Sequence, residues 1–132
     1  MKKKILIVMA NYYETISNNL LHHTKKVLQE PFDLISVPGV FEIPVTIAKN
    51  IKKYDGFIAL GCVIKGETPH FDLISKAAID GIMKLSIENK KPIGNGIITC
   101  LNKEQALARR KKGHEAAVAL LSVINQTKIS KK

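Results

Sequence analysis

The feature that most constrains this chain is a regular alternation between short apolar runs and helical stripes. The apolar runs, at residues 3–10, 32–37, 56–60 and 92–100, are typical of strands covered on both faces. Parallel strands need crossover connections, which are usually helices. The alternation therefore predicts one three-layer α/β domain over residues 1–132, with a four-stranded parallel sheet flanked by helices on both faces, as in doubly wound, flavodoxin-like folds.

The helical stripes recur over five segments, at residues 15–30, 44–53, 69–89, 102–110 and 117–124. Pro31 stops the first helix. Asn102, with Gln105 three positions later, resembles a capping box that begins the fourth helix. Gly113 is expected to break the chain before the last helix, and the polar tail beyond Ile124 is expected to fray.

One strand-to-helix corner, at residues 60–71, carries an anion-binding signature. Thr68 is a good N-cap, Pro69 suits the first helical position, and His70 then follows in the first turn. Unpaired amides and the positive end of the helix favour an anion there, and Gly66 allows a ligand to approach closely. The same positive end should keep the His70 imidazole neutral near pH 7, and so able to accept a proton.

Ligands of such sheets bind beyond the carboxyl ends of the strands, which selects the loops after each predicted strand. These loops hold stacking rings and a carboxylate, in Tyr12, Tyr13, Phe41 and Glu42, and the helix after the fourth strand adds the guanidinium of Arg109. Taken singly, each has an ordinary structural explanation: Phe41 in the core, Glu42 facing a helix dipole, Arg109 solvated. Together with His70 they describe a pocket for an aromatic, polyhydroxylated molecule and a phosphorylated one.

Composition and charge narrow the function classes. The net charge is +10, but the lysines are scattered and aromatic residues make up only 5% of the chain, so nucleic-acid binding is not expected. The apolar stretch after the first lysines ends at Ala10, too short for a signal peptide or a membrane span, and predicts a cytoplasmic protein. Cys62 and Cys100 are expected to be buried free thiols, and no metal site is predicted.

Several common enzyme motifs are missing from the sequence. Asn-Tyr-Tyr-Glu, rather than a glycine-rich turn, follows the first strand, and no Walker sequence occurs. No serine or cysteine lies at a recognisable nucleophile elbow. Hydride transfer, ATP hydrolysis and covalent hydrolysis are therefore not expected.

Two long motifs resemble one enzyme family. They are Val-Pro-Gly-Val-Phe-Glu-Ile-Pro at residues 37–44 and Ala-Leu-Gly-Cys-Val-Ile-Lys-Gly-Glu-Thr-Pro-His-Phe-Asp at 59–72, followed by Glu-Gln-Ala-Leu-Ala-Arg at 104–109. The sequence is similar, over nearly its whole length, to the 6,7-dimethyl-8-ribityllumazine synthases of riboflavin biosynthesis. The resemblance implies condensation of 5-amino-6-(D-ribitylamino)uracil with 3,4-dihydroxy-2-butanone 4-phosphate, with release of phosphate and water and no cofactor.

The resemblance also implies a role for each matching residue. His70 matches the proton-transfer histidine and Tyr12 the aromatic residue that stacks on the pyrimidine. Glu67, Thr68 and Arg109 match the phosphate-binding groups. The remaining matches line the pyrimidine and ribityl pocket, and they are Val40, Phe41, Glu42, Cys62, Val63, Ile64 and Asn95.

The family likeness further implies a homopentamer with sites between neighbouring subunits, in which the positions of Asn95 and Arg109 come from the adjacent chain. A free pentamer, rather than a sixty-subunit shell, is expected because almost nothing precedes the first strand. Tyr13 and Asn95 depart from the residues common in the family. The loop between Arg109 and Gly113 is also short, so that Lys112 matches a phosphate-site lysine only loosely.

Three other functions remain open on the sequence. An archaeal-type riboflavin synthase shares the fold but dismutates two lumazine molecules. A non-catalytic flavin-binding or assembly protein would retain the pocket without turnover. A nucleic-acid binder would use the positive charge.

Overall fold

The computed structural model describes residues 3–126 and contains a four-stranded, all-parallel sheet with strand order β2-β1-β3-β4. The strands are β1 (Ile5–Ala10), β2 (Phe32–Val37), β3 (Gly56–Ile64) and β4 (Ile93–Cys100). The helices are α1 (Glu14–Lys25), α2 (Ile43–Asn50), α3 (His70–Asn89), α4 (Lys103–Ala108) and α5 (Lys112–Ile124), with one 3-10 turn, Val40–Glu42, ahead of α2. The predicted four-stranded parallel sheet, with helices on both faces, is confirmed.

The two faces of the sheet bury different residues, because side chains alternate along each strand. On one face, Ile5, Ile7 and Met9 of β1 pack in a cluster with α1, α4 and α5. On the other, Leu6 and Val8 pack with α2 and α3. Every residue of β1 is buried, as expected for a central parallel strand. Within residues 3–126, no helix is long and apolar enough to cross a membrane.

Several predicted boundaries were wrong. The first helix ends at Lys25 instead of residue 30, because the Thr24 carbonyl accepts the amides of Val27 and Leu28 and turns the chain. The second ends at Asn50 instead of residue 53. The fourth ends at Ala108 instead of residue 110.

The strand predicted to end at Leu60 continues to Ile64. Gly61 does not end it, because this glycine makes room for tight packing: a Cβ there would lie 2.8 Å from Val40 and 3.1 Å from Ala10. The longer strand carries Cys62 and Val63 to the carboxyl edge of the sheet.

Gly113 does not break the chain, because it lies inside α5. A Cβ at this position would clash with the backbone carbonyl of Leu20 in α1, so glycine allows the two helices to touch. Gly94 similarly allows β4 to approach the backbone of Ala116 in α5. The tail predicted to fray lies mostly outside the described residues.

Candidate active site

A cavity of about 400 Å³ lies at the carboxyl edge of β1 and β3, and we call it the carboxyl-edge cavity. Eight of the predicted site residues line it, although they come from four separate segments of the chain. Its lining is Tyr12, Tyr13, Gly39, Val40, Phe41, Glu42, Cys62, Val63, Ile64, His70 and Ile74. The structure therefore brings together the predicted stacking ring, carboxylate and imidazole.

Tyr12 offers an open aromatic surface at the mouth of this cavity. Its side chain is 76% exposed, and its ring lies edge-on to that of Tyr13 at a centroid distance of 4.9 Å. The loop is fixed where it leaves β1, because the amide of Asn11 donates to the carbonyl of Val37 at 3.0 Å. Burial, and then the neighbouring Tyr12 and Cys62, raise the pKa of Tyr13. Tyr13 therefore keeps its hydroxyl proton at neutral pH.

Glu42 and Phe41 form the second wall. Glu42 Oε1 accepts the amide of Gly39 at 2.9 Å, which holds the 3-10 turn and orients the carboxylate. Phe41 is 58% exposed, so its placement in the core, which the sequence left open, is wrong. An exposed phenyl ring beside a fixed carboxylate can contact a ring and accept hydrogen bonds from hydroxyl groups.

The end of β3 supplies the floor. Burial, followed by the neighbouring Cys100, raises the pKa of the Cys62 thiol to about 12. Both cysteines are free and buried, as predicted. A thiol with so high a pKa stays protonated, so Cys62 contributes a wall and not a nucleophile.

The helix after β3 begins one residue later than predicted. α3 starts at His70, with Pro69 as the cap, because the Pro69 carbonyl accepts the amide of Leu73 at 3.2 Å. Thr68 Oγ1 accepts the amide of His70 over a long 3.4 Å, so this first-turn amide already has a weak partner. Glu67, Thr68 and His70 are all exposed. A Cβ at Gly66 would meet no atom within 4 Å, which leaves open space beside the corner.

Asn95 and Arg109 lie elsewhere, on what we call the β4 surface. They line a separate cavity of about 530 Å³ with residues of α3, β4 and α5, and none of the other predicted site residues borders it. Arg109 Nη1 donates to the carbonyl of Thr99 at 3.0 Å, so the guanidinium is anchored and not merely solvated. Asn95 Oδ1 accepts the amide of Ile97 at 3.0 Å. Lys112 borders the same cavity, and its Nζ lies 3.9 Å from Glu115 Oε1.

Three residues of the carboxyl-edge cavity do not belong to the predicted site. Tyr13 follows Tyr12 in the loop after β1, and its ring is a stacking candidate from the sequence, but it departs from the family pattern and so received no role in the predicted site. Gly39 belonged to the loop before α2, but has no side chain to suggest a role. Ile74 was assigned to the helical stripe of α3, and only the packing of that helix shows that it reaches the cavity.

The chain matches the family model described as 6,7-dimethyl-8-ribityllumazine synthase over residues 2–128. It is 42% identical to the 6,7-dimethyl-8-ribityllumazine synthase of Agrobacterium fabrum, covering 96% of both chains. It is 44% identical to that of Bartonella tribocorum, covering 94% of this chain and 91% of the relative. It is 41% identical to that of Blochmanniella pennsylvanica, covering 98% and 91% respectively. Matches of this length and identity mean that the chain belongs to the 6,7-dimethyl-8-ribityllumazine synthase family.

Proposed function

We propose that this protein condenses 5-amino-6-(D-ribitylamino)uracil with 3,4-dihydroxy-2-butanone 4-phosphate to form 6,7-dimethyl-8-ribityllumazine in riboflavin biosynthesis. The carboxyl-edge cavity is the observation that supports the proposal. In this member of the family, it brings a stacking ring, an oriented carboxylate and an imidazole together around one space. The two substrates supply all the reacting atoms, so no cofactor is part of the proposal.

The pyrimidine substrate is assigned to the carboxyl-edge cavity. Tyr12 stacks on the ring, and Val40 with Phe41 forms the apolar wall. Glu42 accepts hydrogen bonds from the ribityl hydroxyls, and its bond to Gly39 fixes its direction in advance. Backbone groups at the end of β3, at Cys62, Val63 and Ile64, contact the polar edge of the ring.

The phosphorylated substrate is assigned to the corner before α3. Backbone groups at Glu67 and Thr68, beside the open space at Gly66, receive the phosphate at the positive end of α3. An arginine completes such a site, because its guanidinium can bind phosphate through two parallel hydrogen bonds. We assign that role to Arg109 and a pyrimidine contact to Asn95.

His70 is assigned the proton transfers. The ring amine attacks the ketone, water leaves to form an imine, and phosphate is then expelled before the ring closes. Each of these steps moves a proton, and the imidazole lies in the cavity next to the phosphate corner. Holding both substrates in one cleft supplies much of the remaining acceleration.

We propose that the working site needs two copies of the chain. The residues of the carboxyl-edge cavity and of the β4 surface line different cavities of one chain, which supports a site in which a neighbouring copy brings its Asn95 and Arg109 to the cavity. Exposed apolar side chains on α3, at Leu73, Met83 and Ile87, support an extensive contact between copies. We propose a free homopentamer located in the cytoplasm. Light scattering that gave a mass near sixty chains would contradict the free pentamer.

The activity is tested by mixing the purified protein with both substrates. Lumazine fluorescence should appear together with one phosphate per product. Supplying lumazine alone tests the riboflavin synthase alternative, which the family match does not favour, and no riboflavin should form. Tight flavin binding without turnover would instead favour the non-catalytic alternative.

The shared site is tested by mixing two impaired variants, His70→Ala and Arg109→Ala, after dissociation and reassembly, and by assaying the mixture with the butanone phosphate well below its wild-type KM. If each site takes one surface from each of two neighbours, about a quarter of the sites in a random equal mixture hold both intact surfaces. Activity should therefore recover to about a quarter of wild type. No recovery, despite mixed oligomers detected by mass spectrometry, would mean that one chain supplies both residues.

A further inference from the structure

A second cleft lies at the opposite edge of the sheet from the proposed active site. It has a volume of about 700 Å³, within the range of about 300–1,000 Å³ common for small-molecule sites. We call it the amino-edge cleft, and its lining is Lys3, Lys4, Ile5, Pro31, Phe32, Asp33, Lys52, Lys53 and Tyr54. These residues precede or begin the adjacent strands β2, β1 and β3, so the cleft is separated from the active site by the length of β1, about 20 Å.

The cleft concentrates positive charge. Four of its nine lining residues are lysines and only one is acidic. The ion pairs within residues 3–126 join Lys76 to Asp80 and Lys112 to Glu115, so no lysine of the cleft is neutralised by an ion pair there. Like charges gathered in a concave surface raise the local potential and attract anions.

The nearby carboxylates are already engaged by neutral donors. The Tyr54 hydroxyl donates to Asp33 Oδ2 at 2.6 Å, and this bond, more than burial, raises the pKa of Tyr54. The amide of Lys4 donates to Asp55 Oδ2 at 2.7 Å. These bonds fix the walls of the cleft and direct both carboxylates toward O–H and N–H groups instead of ammonium groups.

The backbone around the lysines is also held in place. The Lys4 carbonyl accepts the amides of Asp55 and Gly56, at 2.7 and 3.3 Å, which joins the start of β1 to the turn before β3. The Tyr54 ring packs edge-on against the buried Phe57 at 6.0 Å. Two lysine pairs that are distant in sequence therefore face one space from a fixed frame.

We propose that the amino-edge cleft binds a small polyphosphate anion, a nucleoside triphosphate or inorganic tripolyphosphate. Lysine ammonium groups bind phosphate as mobile point charges, and four of them match an ion with several negative charges better than a single phosphate. Pro31 and Phe32 give one wall an apolar surface that can contact a nucleobase. This binding is independent of the condensation reaction proposed at the carboxyl edge.

The test measures calorimetric binding of tripolyphosphate, ATP and orthophosphate to the full-length protein. Tripolyphosphate and ATP should bind with saturation and more weakly as salt rises, whereas orthophosphate should bind far less tightly. ATP binding more tightly than tripolyphosphate would support contact with the apolar wall and identify a nucleotide as the ligand. Equal affinities would support a site for the phosphate chain alone. The absence of saturable binding by either would overturn the proposal.

Matched variants locate the site. Lys52→Gln/Lys53→Gln should raise the dissociation constant by about tenfold or more, since half of the lysine charge is lost. Lys25→Gln/Lys26→Gln removes the same charge from the exposed end of α1, outside the cleft, and should leave the affinity unchanged. Equal weakening by both pairs would overturn the proposal in favour of attraction to net charge. Loss of binding in Arg109→Ala, with the Lys52 and Lys53 variant unaffected, would overturn it in favour of the catalytic phosphate site.

Discussion

The carboxyl-edge cavity and the β4 surface differ in how the chain builds them. The cavity collects eight predicted site residues from four segments and includes the imidazole proposed to move protons. The β4 surface holds Asn95 and an arginine anchored to the carbonyl of Thr99 on an edge strand. Under the proposed function, the cavity carries out the proton transfers and the β4 surface binds the phosphate. A site divided in this way would make activity depend on assembly.

The two surfaces also differ in their tolerance of added volume. The β4 surface rests on close backbone contacts of α5, at Gly113 with α1 and at Gly94 with β4. The corner beside the carboxyl-edge cavity has open space around Gly66. Substitutions that act on one surface and spare the other can therefore test the division.

The largest expected effect is on stability, from Gly113→Ala. The new Cβ would clash with the backbone carbonyl of Leu20 and lie 2.6 Å from Thr24 Oγ1. The backbone of a packed helix can move away from such a clash only at a substantial cost in free energy. We expect the free energy of unfolding to fall by about 3 kcal/mol, measured by urea denaturation. Gly66→Ala is the control, with a change within about 0.5 kcal/mol. Equal stability of both variants would show that α5 can shift away from α1.

His70→Ala tests the chemical role of the carboxyl-edge cavity. Removing a general acid–base group should lower kcat by about 10²-fold, and KM for the phosphorylated substrate should change little. His114→Ala, at an exposed position on α5, is the matched control and should retain full turnover. A variant with wild-type kcat would remove His70 from the mechanism.

Arg109→Ala tests the proposed phosphate-binding role of the β4 surface. Loss of a charge-assisted contact should cost about 2 kcal/mol, which corresponds to roughly a 30-fold rise in KM for the butanone phosphate. Arg110→Ala is the control, because that side chain is exposed, donates to the carbonyl of Leu107 at 3.4 Å and borders neither cavity. A fall in kcat with an unchanged KM would contradict the proposed division between proton transfer at the cavity and phosphate binding at the β4 surface.

The smallest expected effect concerns the floor of the carboxyl-edge cavity. Burial raises the pKa of Cys62 from its usual 9.0 to about 12, so the unfolded thiol ionises first as pH rises. The stability contributed by the protonated thiol is complete below pH 9 and is lost between pH 9 and 12. Between pH 8 and 10, wild type should lose about 1 kcal/mol more than Cys62→Ala, measured by urea denaturation. Parallel pH profiles would mean that the thiol ionises normally in the folded protein.

The sequence was most informative where burial sets a simple pattern. The fully buried run of β1, the mostly buried run of β4 and the long helical stripe of α3 were predicted to within two residues, because periodicity and flanking signals agreed there. The Asn102 cap was also readable, and its Oδ1 accepts the amide of Gln105 at 2.9 Å. The predictions failed at Gly61 and Gly113, which lie inside β3 and α5. In a sequence, a glycine that permits close packing cannot be distinguished from one that ends a strand or helix.

By itself, the sequence determined the α/β class, the all-parallel sheet and the loops that carry the candidate site, because these follow from local periodicity and from the crossover rule. The tertiary structure decided which of those loops share a cavity. It placed Asn95 and Arg109 apart from His70, since strand order puts β4 at the edge of the sheet. It also gathered lysines from two distant segments into the amino-edge cleft. Distances between segments depend on how the helices and strands pack, and no local pattern encodes them.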